Sequence, residues 1–225
     1  MINLSNVQKN YGKKVVLKGI NLTFNENEAV AVVGSNGCGK TTLVELVANL
    51  IQPTEGEIVR QENLNIGMQF QDGSWPIGTK LSDLITFYKD KSYKKTEEFK
   101  KLVEAFDLEG IISRDISSLS GGQRQRINCF LSIINEPNVL ILDELITGLD
   151  LEMQIKLISF FQNYKKEKKI ILLIVSHIPE EVEALCDRVI ILKDGTVYED
   201  KNIEEITKEY GTLRKRLIKY YENEK

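Results

Sequence analysis

The sequence predicts an α/β fold with a mostly parallel sheet, an N-terminal antiparallel β subdomain and an inserted α-helical subdomain. Residues 139–142, 170–175 and 189–192 are apolar at every position, and helix-like segments separate them. Continuous apolar strands that alternate with helices are typical of a parallel sheet covered on both faces. A glycine-rich run at residues 34–42 joins an apolar strand-like segment to a helix-like one, which favours the same class.

The composition favours a soluble globular protein. The chain has 225 residues, of which 42% are hydrophobic, and a sizeable core is expected. The net charge of −3 gives no general electrostatic reason to bind nucleic acid, so no such partner is expected. No apolar run of the second half approaches the roughly 18–20 residues that cross a bilayer, and the chain starts without the pattern of a secretory signal. The cysteines, Cys38, Cys129 and Cys186, are odd in number and widely spaced, which fits a reducing cytoplasm better than a disulfide framework or a zinc site.

The first third of the chain is strand-like. Residues 2–7, 15–24 and 29–33 predict strands, and apolar residues alternate with polar ones along the second of them, as in a half-exposed antiparallel sheet. A helix is predicted after the glycine-rich run, at residues 43–50. A turn follows at residues 53–57, and short strands are predicted near Ile58 and Ile66.

Residues 80–134 have a different periodicity. Their apolar residues recur at spacings of three and four, which indicates helices rather than strands of the sheet. We therefore expect one domain over residues 1–225. Its core, which holds the glycine-rich run, takes in residues 1–79 and 135–200. Its helical subdomain takes in residues 80–134, and its helical C-terminal tail residues 201–225.

The glycine-rich run is a candidate phosphate-binding loop. Its glycines allow several backbone N–H groups to point into one concavity, and the following helix adds the positive end of its dipole. Lys40 would reach the β- and γ-phosphates, and the Thr41 hydroxyl would bind Mg²⁺. The alternative is a glycine-rich turn that matches by accident, against which the strand before it and the helix after it argue. The predicted binding residues are Gly34, Ser35, Asn36, Gly37, Cys38, Gly39, Lys40, Thr41 and Thr42.

Two carboxylates follow the apolar segment at residues 139–142. Ligands of open α/β sheets collect at the carboxyl ends of strands, and successive side chains of a strand point to opposite sides. We therefore expect different roles: Asp143 would hold Mg²⁺, directly or through water, and Glu144 would polarise an attacking water. The alternative is that both acids cap a helix after a buried strand.

His177, the only histidine of the sequence, follows the apolar segment at residues 170–175. This position places it at the same sheet edge as the two acids, where it would contact the γ-phosphate or orient Glu144 and water. A purely structural histidine is the alternative.

A second helix start suited to anions lies at residues 119–126. Ser120, Gly121 and Gly122 place a hydroxyl and two glycines at the start of a helix-like stretch. One chain with a complete phosphate loop has no obvious use for a second one, whereas a twofold dimer could set Ser120 and Gly122 over the nucleotide of the partner. The alternative is a simple cap and a flexible turn.

Together these segments resemble the motif set of ATP-binding cassette (ABC) ATPases, in the same order along the chain, over about residues 2–200. Residues 34–42 resemble the Walker A loop of a P-loop NTPase core, Asp143 and Glu144 the Walker B pair, and residues 119–123 the signature sequence. By the same resemblance, Tyr11 would stack on adenine, Gln71 would bind Mg²⁺ and link the nucleotide to the transport partner, Gln123 would belong to the second nucleotide contact, Asp150 would lie in the D-loop, and His177 would be the switch histidine. The resemblance implies Lys40, Glu144 and His177 as catalytic residues and Thr41, Gln71 and Asp143 as metal ligands.

The resemblance implies an ATP-hydrolysing subunit that works as a homodimer or a heterodimer on the cytoplasmic face of the cell membrane. With ATP and Mg²⁺ it would power a separate membrane-spanning transporter subunit, and the absence of a long regulatory domain suggests an exporter. A soluble ABC ATPase that remodels a protein complex, as in iron–sulfur assembly, is the alternative. An ATP-sensing module without hydrolysis is a further one, against which Glu144 and His177 argue.

Four positions depart from the family pattern or leave its assignment open. Leu145 stands where proline is frequent, and Gln69 competes with Gln71 for the role of the linking glutamine. Cys38 occupies a position where small residues are usual; a lowered thiol pKa and ATP-protected alkylation are expected there. Trp75 would either line the groove for the membrane partner or pack internally.

Overall fold

The structure, a computed structural model, describes residues 1–69 and 75–222. Nine strands are assigned within these ranges: β1 (Ile2–Tyr11), β2 (Lys14–Phe24), β3 (Ala29–Gly34), β4 (Glu55–Arg60), β5 (Ile66–Met68), β6 (Val139–Asp143), β7 (Ile171–Val175), β8 (Arg188–Lys193) and β9 (Thr196–Asn202). Eight α-helices are assigned in the same ranges: α1 (Lys40–Val47), α2 (Leu81–Tyr88), α3 (Glu97–Ala105), α4 (Gly121–Ile133), α5 (Leu151–Lys168), α6 (Pro179–Leu185), α7 (Ile203–Tyr210) and α8 (Leu213–Glu222).

The strands form two sheets. An antiparallel sheet has the order β2-β1-β4, and a six-stranded sheet has the order β5-β6-β7-β3-β8-β9. Strands β5, β6, β7, β3 and β8 run parallel, and β9 pairs antiparallel with β8 at the edge. The predicted α/β class, with a mostly parallel sheet and an N-terminal antiparallel part, is confirmed. Strand β9 was not predicted, because every position in it except Val197 and Tyr198 is polar and no strand pattern stands out.

The parallel sheet separates two hydrophobic cores. Alternate residues of each inner strand enter opposite cores, as the two-residue period of a strand requires. In β3, for example, Ala29, Ala31 and Val33 pack into the core on the side of the α-helices that follow β5. Val30 and Val32 pack into the other core, between this sheet, helix α1 and the antiparallel sheet. Burial on both faces explains why these strands are apolar throughout.

Residues 80–134 contain α2, α3 and α4 with two short 3₁₀ turns, Tyr93–Lys95 and Ile116–Ser118. Helices account for the three- and four-residue spacing there, while the boundaries of the subdomain remain a prediction. In the predicted tail, β9 continues to Asn202, and the helical part divides into α7 and α8 at Gly211, whose φ is +84°.

Across the described ranges, no helix is both long and apolar enough to span a bilayer. Cys38, Cys129 and Cys186 all lie within the described ranges, and they are buried and not linked by a disulfide.

Candidate functional site

The loop between β3 and α1 forms a concave turn. Gly34, Gly37 and Gly39 have φ values of +149°, +79° and +109°, which glycine adopts without strain. Gly34 also lies so close to β8 that an added Cβ would stand 2.4 Å from the Leu192 carbonyl oxygen. The buried Lys40 ammonium donates hydrogen bonds to the carbonyl oxygens of Gly34 (2.9 Å) and Ser35 (3.0 Å). The predicted phosphate loop therefore has its lysine turned back over the loop.

A cleft of about 530 Å³ lies at the carboxyl ends of the parallel strands. Strands β6, β7 and β3 are neighbours in the sheet, so the loops that follow them meet at one edge. This placement brings the loop before α1 close to the acids at the end of β6 and to the histidine after β7, although these segments lie far apart in sequence. The lining residues include Asn36, Gly37, Gly39, Lys40, Thr41, Thr42, Asp143, Glu144 and His177.

The two acids differ in environment and backbone conformation. Burial raises the pKa of Asp143 to about 6; the charge of Glu144 adds to this effect, and Lys40 opposes it. Asp143 ends strand β6, whereas Glu144 turns the chain with a φ of +52°, in the left-handed region. The Glu144 N–H donates to the Val175 carbonyl oxygen at 2.9 Å, which ties this turn to the end of β7.

His177 lines the cleft, and its side chain is exposed to solvent. Partial burial lowers the pKa of its imidazole, the Lys40 ammonium lowers it further, and the Glu144 carboxylate opposes both effects. The imidazole is therefore mainly neutral at pH 7, and one of its nitrogens can accept a proton.

Four residues after His177, the fully buried carboxyl of Glu181 connects two loops of the site. It accepts a hydrogen bond from the Ser176 hydroxyl and another from the Ile146 N–H at 3.2 Å. The Ser176 hydroxyl oxygen in turn accepts from the Ile178 N–H at 3.0 Å. Burial raises the pKa of Glu181 to about 7. The sequence analysis missed Glu181, and only its place four residues after His177 could have pointed to it.

A second cleft, of about 680 Å³, lies at the start of helix α4. Ser120 caps this helix: its hydroxyl accepts from the Gln123 N–H at 3.2 Å, and the Gln123 side chain accepts from the Ser120 N–H at 3.1 Å. Asp150 caps α5 in the same way, by accepting from the Met153 N–H at 2.9 Å. The cleft is lined by Ser120, Gly121, Gly122, Gln123, Gly148, Leu149 and Asp150 together with Asp107, Arg126, Glu152, Met153 and Lys156.

The structure thus places the sequence-predicted residues in two separate groups. The first cleft is lined by His177, by both acids and by six residues of the predicted loop: Asn36, Gly37, Gly39, Lys40, Thr41 and Thr42. Gly34, Ser35 and Cys38 of that loop are not among its lining residues. Ser120 to Gln123 and Asp150 line the second cleft. The two clefts share no lining residue. One chain therefore does not bring Ser120 to the phosphate loop.

Tyr11 is half-exposed at the end of β1, with the Lys9 ammonium 5.3 Å from the centre of its ring. Tyr11 is not among the residues that line the first cleft, whereas Lys14 and Val16 of β2 are. The sequence analysis missed Lys14 and Val16, although they follow Tyr11 at nearby positions of the same hairpin. Gln71 lies outside the described residues.

Cys38 and Trp75 differ in how far they reach solvent. Only 4% of Cys38 is exposed, and its side chain packs into the core around α1. The expected ATP-protected alkylation of this thiol stays a prediction, and its burial leaves little of the side chain open to a reagent. Trp75 is half-buried and packs against the core on the helical side of the sheet.

The first cleft fits a nucleoside triphosphate with Mg²⁺. The N–H groups of the first turn of α1, together with the Lys40 ammonium, supply donors for phosphate oxygens. The Thr41 hydroxyl and the Asp143 carboxylate are oxygen ligands of the kind that Mg²⁺ prefers. Both residues line the cleft beside Lys40.

A protein-family model described as "ABC transporter" matches residues 17–147 of the chain. This range covers more than half of the sequence, from β2 to the residues after Glu144. The match therefore contains the phosphate loop, the helical segment and both acids.

The chain is also similar to curated ATP-binding proteins of import systems and to a solved ABC transporter cassette. The chain is 34% identical to the spermidine/putrescine import ATP-binding protein PotA of Spiroplasma citri, over 95% of this chain and 65% of that protein. It is 33% identical to the nickel import system ATP-binding protein NikE of Staphylococcus aureus, over 92% of each chain. The dimeric structure of a bacterial ABC transporter cassette superposes with a TM-score of 0.77 and 25% identity, over 90% of this chain and 98% of that one. The chain thus spans about two thirds of the length of PotA.

Proposed function

Since the chain belongs to the ABC transporter family, we propose that it is an ATP-hydrolysing subunit of such a transporter and works on the cytoplasmic face of the membrane with a membrane-spanning partner. The observation that carries the proposal is the first cleft, which joins the phosphate loop to Asp143, Glu144 and His177. These residues supply a triphosphate cradle, a metal ligand and two groups that can accept a proton.

We further propose that the transporter is an importer. The export direction expected from the sequence is not supported by PotA and NikE, which are both named as import proteins. These two relatives do not support the soluble complex-remodelling alternative either. PotA is named for polyamines and NikE for nickel, which supports small cations as the first cargo candidates to assay.

In the proposed reaction, Lys40 and the N-terminus of α1 bind the phosphates. Thr41 and Asp143 would hold Mg²⁺, which would supply positive charge to neutralise the phosphates. Glu144 accepts a proton from the attacking water, and the mainly neutral His177 orients that water or contacts the γ-phosphate. Ser120 to Gln123 and Asp150 of a second subunit close over the nucleotide.

The proposal predicts that Glu144→Gln lowers kcat for ATP hydrolysis by about 100-fold or more, because the amide cannot accept the proton. ATP should then hold the variant as a dimer, measured by light scattering with and without ATP. Glu180→Gln is the control, since Glu180 lies on the surface in an ion pair with Arg214, and it should hydrolyse ATP like the parent. Wild-type turnover by Glu144→Gln would contradict the assignment.

The transport part of the proposal needs a separate test. The ATP-trapped Glu144→Gln variant should capture a polytopic membrane protein from the native membrane. The parent subunit and this partner, reconstituted in vesicles with ATP on the side that the subunit occupies, should move spermidine, putrescine or nickel toward that side. Movement away from that side would contradict the import direction.

A further inference from the structure

Helix α4 holds the backbone at the catalytic end of strand β6. The Gln125 side-chain amide donates hydrogen bonds to the carbonyl oxygens of Glu144 (2.7 Å) and Leu145 (3.2 Å). Gln125 is half-buried and lies in the second turn of α4, five residues after Ser120. The helix that begins at the second cleft therefore reaches the backbone of the general base proposed for the first cleft.

One turn further along α4, a second side chain reaches the same strand end. The Cys129 thiol donates to the Gln69 side-chain oxygen at 3.2 Å, and the Gln69 amide donates to the Asp143 carbonyl oxygen at 3.0 Å. Cys129 and Gln69 are both buried. Burial also raises the pKa of the Cys129 thiol, so the sulfur keeps the proton that it donates. Residues 125 and 129 lie on one face of α4, because four residues make about one helical turn.

These contacts act where the chain has an uncommon conformation. Glu144 has a φ of +52°, and non-glycine residues hold such a conformation only where their surroundings fix it. Its N–H is bound by the end of β7 at 2.9 Å, and its carbonyl oxygen is bound by Gln125. Both peptide groups of Glu144 are thereby oriented, which sets the direction in which its side chain leaves the backbone.

We propose that Gln125 is a positioning residue for Glu144, and that Gln69, held by Cys129, is a positioning residue for Asp143. The inference rests on the proposed ATPase function and deepens it. Neither Gln125 nor Gln69 is among the residues that line the first cleft. Each side-chain amide instead binds the backbone carbonyl oxygen of an acid that does line it.

The test compares Gln125→Met, which keeps the side-chain volume but has no donor, with Gln125→Lys, which keeps a donor of slightly longer reach. We expect Gln125→Met to lower kcat by about 10- to 100-fold, because a small displacement of a catalytic group is that costly. The KM for ATP should stay within about twofold, since Lys40 and the phosphate loop are untouched. Gln125→Lys should recover part of the lost kcat.

Gln162→Met is the matched control, because the Gln162 amide also donates to a backbone carbonyl oxygen, that of Ala184 at 2.8 Å, and Gln162 does not line either cleft. The control should keep the parental kcat and KM. If the parent chain hydrolyses no ATP, the proposed function fails. If the parent is active and Gln125→Met turns over like Gln162→Met, only this inference is overturned.

A double-variant cycle separates positioning from a merely structural role. If Gln125 acts through Glu144, Gln125→Met should lower the residual rate of Glu144→Gln by less than about twofold. If Gln125→Met lowers the rate of Glu144→Gln as much as it lowers the rate of the parent, the inference is overturned. Gln69→Leu tests the proposed role of Gln69 at Asp143, and this test does not depend on whether the Gln125 variants fold. The variant should lower kcat at unchanged KM.

If folded Gln69→Leu keeps the parental kcat, the role proposed for Gln69 is overturned.

Discussion

At the scale of single residues, the ionisation of the Glu181 carboxyl depends on the fold. It is fully buried, and its two hydrogen bonds come from the loop that carries His177 and from the loop that follows Glu144. Burial favours the protonated acid, and the pKa is about 7 instead of the ordinary 4.5. The carboxyl therefore costs folding free energy whenever it is charged.

Glu181→Gln tests this cost through the pH dependence of stability. The folded chain binds a proton at Glu181 more tightly than the unfolded chain does, so the free energy of unfolding falls as pH rises from 4.5 to about 7. The amide does not titrate. The stability of the variant relative to the parent should therefore rise by about 1–3 kcal/mol between pH 5 and pH 8, measured by urea unfolding.

Glu180→Gln is the control for this prediction. Glu180 lies next to Glu181 in sequence, but its ion pair with the exposed Arg214 lowers its pKa instead of raising it. This variant should gain no stability as pH rises. An equal gain in both variants would show that the effect is not specific to the buried carboxyl.

At the scale of elements, helix α4 lies very close to strand β5. A Cβ added to Gly67 would stand 1.9 Å from the Ser132 carbonyl oxygen and 2.8 Å from Cγ of Pro137. Only a residue without a side chain lets the C-terminal half of α4 approach the sheet this closely. The same approach lets Gln125 reach the end of β6, and it lets Cys129 reach the side chain of Gln69, which follows β5.

Gly67→Ala should lower the free energy of unfolding by about 1–3 kcal/mol, because the added methyl group displaces α4 from β5. The displacement should also lower kcat more than it changes the KM for ATP, since α4 positions the backbone of Glu144. Urea unfolding and steady-state ATP hydrolysis measure the two effects.

Gly110→Ala is the matched substitution, because an added Cβ there meets nothing within 4 Å. Its free energy of unfolding should stay within about 0.5 kcal/mol of the parent. A loss in Gly110→Ala as large as in Gly67→Ala would mean that the close approach is not the cause.

At the scale of the whole molecule, the two clefts lie apart and each carries half of the predicted nucleotide contacts. The first offers the phosphate loop, and the second offers Ser120 to Gln123 and Asp150. A twofold dimer would join the first cleft of one chain to the second cleft of the other. Every site of such a dimer would draw on both chains.

Mixing two inactive variants tests this arrangement. Lys40→Ala removes the phosphate contact, and Gly121→Asp adds a negative charge to the second cleft, where an added Cβ meets nothing within 4 Å. In a mixed dimer both defects fall in one site, and the other site is intact. An equimolar mixture should therefore recover about a quarter of the parental ATPase rate, measured at steady state.

The double variant Lys40→Ala with Gly121→Asp, mixed with Lys40→Ala, is the control and should recover nothing. Its mixed dimers have no intact phosphate loop. If the two single variants also stay inactive together, the sites do not combine halves of different chains, and the dimer proposal fails.

The sequence by itself determined the local chemistry of the chain. The glycines at residues 34, 37 and 39 identify a phosphate loop because positive φ angles and close backbone approach require glycine there. The serine and glutamine at positions 120 and 123 have the spacing of a capping box, which the structure forms. The buried parallel strands could be predicted from the sequence, because both of their faces are covered and their inner positions are therefore apolar.

Only the tertiary structure decided which of these segments meet. Strand order sets Lys40 beside Asp143 and His177, and close packing at Gly67 brings Gln125 to the carbonyl oxygen of Glu144. Burial decided that Cys38 is enclosed and that Glu181 has a raised pKa. Periodicity reports the environment of a residue along its own helix or strand. Contacts between side chains and distant backbone groups depend on how elements pack, which no local pattern encodes.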